Sequence, residues 1–268
     1  MTNAGPAAGA WTGRLTLAVA LALASAGPVL AQLEPPVQAL LEPEYLLSVG
    51  EVVDAGRWRN AETVVGAAGE MVTDRSQTQF DLVHVPRVIE GRSLVAGDLV
   101  QFFRLERRID DPLTGEALGT LLLPTGVGRV ESLDGETVGV RVTDAFHAIV
   151  VGDLVRVVTE ADVEARVAGS AGGPGGKIVA FQEEKAIHPP FDKLFLRPDV
   201  AGITVSGQVV ELYRPGPVRD GVQLPDLVLG RAMVVRGGGG ITAAVTYELE
   251  GPDLAPGDLY RPVAADGD

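Results

Sequence analysis

"LVAGDLVQFF" at Leu94–Phe103, "IVVGDLVRVV" at Ile149–Val158 and "LAPGDLYRPV" at Leu254–Val263 set one phrase, Gly-Asp-Leu, in one apolar frame. Glycine allows the positive φ that a tight turn needs. An aspartate just after it can bond neighbouring backbone N–H groups. The alternation that follows starts a strand. Each phrase therefore predicts a turn that delivers the chain into a β-strand. Gly97–Asp98, Gly152–Asp153 and Gly257–Asp258 are the turn residues, and Gly207 with Gln208 is a fourth, altered instance.

The register around these phrases extends the pattern. Laid over itself at an offset of about 110 residues, a period too long for a solenoid, the chain matches in order. "FDLVHV" (80–85) falls on "FDKLFL" (191–196), and "VAGDLVQFFR" (95–104) on "VSGQVVELYR" (205–214). "ALG" ending at Gly119 falls on "VLG" ending at Gly230, and "TVGVRV" (137–142) on "TAAVTY" (242–247). In the last pair Val138, Val140 and Val142 alternate with polar or small residues, as do Ala243, Val245 and Tyr247, so these sets are expected to form the buried faces.

The expected fold is all-β: two tandem small antiparallel β-barrel-like modules related by internal duplication, after a signal peptide. The boundaries are 1–31 signal peptide, 32–48 Pro-rich N-terminal segment, 49–158 first module, 159–176 Gly-rich linker and 177–268 second module. Residues 32–44 read as a tether or an edge segment, whose prolines break any long helix and leave room for a brief one at Val37–Leu41.

Composition agrees with short elements and many turns, with 34 Gly and 18 Pro in 268 residues. Hydrophobic residues reach 46 % but aromatics only 5 %, so the core is aliphatic. The formal net charge of −14 argues against nucleic acid, which needs basic surfaces. There is no cysteine, hence no disulfide, thiolate metal site or Cys nucleophile.

The N-terminus reads as an export signal. Arg14 precedes the apolar run Leu15–Ala26, then Gly27, Pro28 and small residues at Val29 and Ala31. Cleavage is expected after Ala31, with Ala26 as second choice. The run is shorter than the roughly 20 residues of a membrane span. The expected product is periplasmic or extracellular, without a stable transmembrane segment.

Candidate chemistry is sparse. His84, His147 and His188 lack metal-ligand spacing. "PGGK" ending at Lys177 fails the phosphate-loop spacing. Asp110, Asp111 and Glu116 in "RIDDPLTGEALG" (108–119) lack the alternating oxygen ligands of a calcium loop. They read better as a hairpin loop with Pro112 and Gly115 as turn residues. No catalytic, metal or cofactor residue is assigned. Trp58, between Arg57 and Arg59, is a candidate partner or glycan contact, or a half-buried cap on the first barrel. Phe103–Arg104 and Tyr213–Arg214, which end the matched strand, are further candidate contacts.

The order Asp81, Gly97–Asp98, Phe103–Arg104, Pro112–Gly115 and Gly152–Asp153 resembles the C-terminal domain of flagellar assembly protein T and the similar β-module after LysM domains in exported bacterial proteins. Asp192, Gly207, Tyr213–Arg214 and Gly257–Asp258 continue the resemblance in the second copy, which lacks the Pro-Xaa-Thr-Gly loop. The resemblance implies a small β-barrel and a non-enzymatic envelope module for assembly or binding. Expected partners are an envelope protein or, as the alternative, peptidoglycan or polysaccharide.

Overall fold

A computed structural model describes residues 40, 42–67, 77–163, 174–200, 206–236, 240–251 and 253–263. Residues 1–31, read as a signal peptide, and residues 164–173 of the expected linker lie outside the described residues. The protein is mostly β. Its first half contains β1 (Glu51–Val53), β2 (Gly66–Ala67), β3 (Leu82–Pro86), the small hairpin β4 (Val88–Ile89) and β5 (Arg92–Ser93), then β6 (Leu99–Asp110), β7 (Ala117–Asp134), β8 (Thr137–Ala145) and β9 (Leu154–Val157). The second half contains β10 (Gly176–Phe181), β11 (Lys193–Pro198), β12 (Val209–Arg214), the small hairpin β13 (Val218–Arg219) and β14 (Val222–Gln223), β15 (Leu227–Arg236), β16 (Thr242–Leu249) and β17 (Leu259–Pro262). Helices are minor: α1 (Pro43–Leu47) and α2 (Glu160–Val163); the brief helix considered at Val37–Leu41 lies, apart from Leu40, outside the described residues. Pro43 starts α1 where no intrahelical N–H is required.

The second half is a closed six-stranded antiparallel barrel in the order β10-β11-β16-β15-β12-β17. The first half is a sheet in the order β2-β3-β8-β7-β6-β9, with β1 added on β7. Residues 62–64 tie its two ends together. Thr63 bridges Leu154, the Val64 N–H donates to Asp153 O, and the Gly152 N–H donates to Val64 O. Gly66 and Ala67 then pair with β3.

Each half encloses an aliphatic core. Val83, Val85, Val100, Phe102, Val138, Val140 and Val142 fill the first; Ile178, Leu194, Leu196, Val210, Leu212, Val234 and Ala244 fill the second. A third cluster lies between the halves. It joins Leu40, Leu46 and Val49 of the N-terminal segment, Ile109, Leu121 and Leu123 of the β6–β7 hairpin, and Val179, Phe195, Ala243 and Val245 on the outside of the barrel. The halves therefore pack directly, with the N-terminal segment wedged at their seam.

Two expected registers are corrected. Phe80 N–H donates to Val142 O, while Phe191 N–H donates to Thr246 O. Val142 thus corresponds to Thr246, one residue away from the sequence match. The barrel interior receives Thr242, Ala244 and Thr246, all buried, and the apolar set Ala243, Val245 and Tyr247 turns outward into the seam. Both faces of β16 are covered, so the more apolar face is not the interior one. Likewise Gly126 pairs with Phe102 and Gly230 with Leu212, each two residues before the strand-end arginine. Gly126, not Gly119, is the counterpart of Gly230, because the β6–β7 hairpin is longer than the β12–β15 connection. A Cβ on Gly126 or Gly230 would meet the Asp144 or Glu248 carbonyl oxygen at 2.6 or 2.1 Å.

Candidate functional site

The four Gly turns share one construction. Gly97, Gly152, Gly207 and Gly257 have φ of 94°, 93°, 84° and 98°, the region that favours glycine. Each donates its N–H across the sheet, to Val130, Val64, Val234 and Ile178 O respectively. The following carbonyl, of Asp98, Asp153, Gln208 or Asp258, accepts the N–H of that same partner. In the three Asp turns a carboxylate oxygen also accepts the N–H three residues back, from Val95, Val150 and Ala255.

The strand-end arginines belong to this construction. Arg104 Nε and one terminal nitrogen bond both oxygens of Asp153 at 2.8 and 2.9 Å. Arg214 holds Asp258 in the same way at 2.7 and 2.8 Å. Arg104 also donates to Ala148 O and Arg214 to Asp253 O, so each arginine ties its strand end to the loop before the turn. Bidentate charge-assisted pairing fixes geometry as well as adding energy. Asp153 and Asp258 are buried, and Thr125 Oγ1 gives Asp153 another donor. Arg104 and Arg214 are locks of the fold rather than free contacts.

The aromatic candidates separate. Phe103 is fully buried, which removes it from any contact surface. Trp58 is half-buried, its ring 6.2 Å from that of Phe103, and caps the small cluster of Phe103, Leu122 and Leu154. Tyr213 is half-buried with the Arg261 guanidinium 4.6 Å from its ring centre. These three aromatics form no common groove.

The acidic loop has a role that its sequence did not show. Asp111 is buried, and its Oδ1 accepts the N–H groups of Leu113 and Thr114, making the turn closed by Gly115 at φ 70°. Its Oδ2 takes Lys177 at 2.8 Å and Arg197 at 2.9 Å from the barrel of the second half. Glu116 adds a second bond to Arg197. The loop is a clamp between the halves. Arg107 reinforces it by donating to the Phe181 and Gln182 carbonyls. No group of acids and histidines able to hold a metal ion occurs among the described residues.

The Lys177 ammonium, helped by the Leu113 and Thr114 N–H groups, holds the Asp111 carboxyl well below the usual carboxylate range, against the opposing effect of burial. A carboxylate lowered in the folded state stabilises fully above the unfolded value of about 4 and progressively less below it. Asp111→Asn should therefore be less stable than wild type at neutral pH. The gap should narrow as the pH falls below about 4. Denaturant unfolding of both proteins across that range checks it; a gap unchanged down to strong acid would contradict the clamp.

The N-terminal segment is fastened by side chains from both halves. Gln101 donates to Leu47 O, and Gln182 bonds both Gly50 N–H and Ser48 O. Arg156 and Arg236 converge on Glu51. Lys193 Nζ donates to Ser48 O and to Ser48 Oγ at 2.9 and 2.8 Å, and burial pushes its ammonium down to about 8. Ser48 Oγ donates instead to Tyr45 O at 2.6 Å, so its proton points away from the lysine and the arrangement is a helix C-cap.

A groove of about 550 Å³ opens at the seam beside Arg104, Arg107, His147 and Gln182 to Glu184. Its arginines are engaged by Asp153 and Glu184. His188 packs flat on Phe181 with ring centres 3.4 Å apart, its Nδ1 2.8 Å from Asp192.

One matched pair of residues has an unusual backbone. Phe80 and Phe191 both have φ 71°. Each is the third residue of a turn closed by Asp81 N–H to Thr78 O or Asp192 N–H to Pro189 O, a place that favours Gly or Asn. Both rings are exposed, at 70 % and 45 %. A positive φ is an outlier for a bulky side chain and costs about 1–2 kcal/mol. Phe80→Asn should raise stability by about 1 kcal/mol; equilibrium unfolding checks it, and a loss would show that the ring is needed by the fold.

Compared with known proteins, the chain matches no family model and no curated sequence.

Proposed function

We propose that this chain is an exported, non-enzymatic protein of the bacterial envelope, acting as a structural or protein-interaction module built by duplication of one small β-domain. The equal strand orders, the repeated Gly turns, the two Arg–Asp locks and the two Phe turns support the duplication. Export rests on the signal-like residues 1–31. The resemblance to the C-terminal domain of flagellar assembly protein T and to LysM-associated modules supplies the envelope setting.

The observation that carries the role is where the polar residues behind that resemblance go. Asp153, Asp258, Arg104 and Arg214 are engaged in holding strands together, and Asp111 in joining the halves. Exposed apolar side chains such as Val65 and Phe80 remain available for contact with a partner protein.

Binding to peptidoglycan or polysaccharide is the second reading, and it rests on the exposed part of Trp58. Co-sedimentation of residues 32–268 with purified sacculi separates the two. The protein-interaction reading expects no salt-resistant binding and no effect of Trp58→Ala. Salt-resistant binding that weakens in Trp58→Ala would replace it with the glycan reading.

A further inference from the structure

The loop between β10 and β11 has its polar groups tied down and its apolar groups left free. Of residues 186–191, Ala186, Ile187, Pro189, Pro190 and Phe191 are exposed, Ile187 at 65 % and Phe191 at 45 %. His188 alone is buried. Its ring lies flat on Phe181, and its Nδ1 stands 2.8 Å from Asp192 Oδ2. The other Asp192 oxygen accepts Lys185 Nζ at 2.9 Å. Phe191 is fixed at both backbone groups. Its N–H donates to Thr246 O, and its carbonyl accepts Tyr45 Oη at 3.0 Å. Thr246 Oγ1 accepts the Asp192 N–H and lies 3.3 Å from Pro189 O.

Single exposed apolar residues are ordinary on a surface. Here five stand in one loop of six residues, and two features set them apart. Phe191 keeps its ring out at the cost of a positive φ that Asn or Gly would adopt more easily. The first half does the same at Phe80, whose carbonyl accepts Arg141 at 2.8 Å while its ring stays exposed. The loop is also ordered in advance, so a partner spends little entropy in fixing it. The charge around it is acidic. Glu42 and Glu44, beside Tyr45 on α1, are exposed and have no basic partner among the described residues. Glu183 and Glu184 at the root of the loop are 51 % and 80 % exposed, offset by Lys185 and Arg107.

We propose that residues 186–191 dock as an apolar knob into a pocket of a partner protein whose rim carries Lys or Arg. This names the contact surface of the protein-interaction reading and rests on it. An aromatic side chain seated in a partner's pocket is a common anchor of such contacts. The strained Phe191 turn then has a use, since it holds the ring out to the pocket. The acids beside the knob match a basic rim and repel an anionic lipid surface. The polar network beneath the loop keeps the knob in one shape whether or not the partner is present.

A photocrosslinker at position 187 of the full chain, in intact cells of the producing organism, tests this against position 133, which is also apolar and exposed. Position 187 should give a discrete adduct that position 133 does not. Mass spectrometry of the crosslinked peptide should place it in an apolar partner segment with Lys or Arg beside it. Phe191→Asn removes the ring and suits the turn, so the fold stays intact, and the yield should fall about tenfold. Glu42→Lys combined with Glu44→Lys reverses the rim charge and should lower the yield as well. No adduct from position 187, the same adducts from both positions, an attachment site flanked by acids, or a yield unchanged in either variant overturns the proposal. Flotation with phosphatidylcholine vesicles tests the other occupant: binding that is lost in Phe191→Asn would replace the protein pocket with a membrane. Protein adducts from position 80 with none from position 187 would overturn this surface and leave the wider reading standing.

Discussion

Asp153→Ala is expected to destabilise the protein by about 3–5 kcal/mol, the cost of leaving the partner of a buried ion pair unmatched. The carboxylate receives two bonds from Arg104, one from Thr125 Oγ1 and one from the Val150 N–H. Its loss strands those donors and loosens the turn that sends β9 into the sheet. Because Arg104 is partly exposed, water recovers some of its hydrogen bonds, and the lower part of that range is expected. Asp258→Ala should act in the same direction on the barrel through Arg214. Denaturant unfolding gives the number; a change below about 1 kcal/mol for Asp153→Ala would show that the pair is a surface bridge and not a lock.

Phe195→Ala is expected to cost about 3–5 kcal/mol, as a fully buried Phe→Ala change does. The ring lies outside the barrel in the seam cluster, so the loss should fall on the joining of the halves. Calorimetry should show a lowered transition that splits or broadens, the barrel unfolding apart from the first sheet. A modest loss with one unchanged cooperative transition would mean that the polar clamp of Asp111 with Lys177 and Arg197 suffices to hold the seam.

Much of the fold is legible in the residues. Gly97, Gly152, Gly207 and Gly257 mark turns because their backbone φ is available to few other residues, and the alternation after them marks strands. Gly115, at φ 70°, marks the hairpin loop for the same reason, and Pro112 marks it because its ring fixes φ and removes a backbone donor. The register of β16 was hidden because its outer face is covered by another part of the chain. Alternation reports which face is more apolar, and in a strand buried on both sides that face need not be the interior one. The partners of Arg104 and Arg214 were out of reach of local spacing, since Asp153 and Asp258 lie 49 and 44 residues further on. The same distance concealed the clamp: Asp111 meets Arg197 across 86 residues. Phe80 and Phe191 appeared in the internal match, but only backbone geometry reveals that both occupy a conformation disfavoured for phenylalanine.

Site-specific photocrosslinking from position 80 in intact cells of the producing organism tests the central claim most directly, with the barrel-interior position 212 as control. The account predicts that the chain fractionates with the envelope and that position 80 gives discrete protein adducts absent from position 212. Recovery of the chain from the cytoplasm, or an envelope-located chain whose position 80 captures no protein, would contradict it.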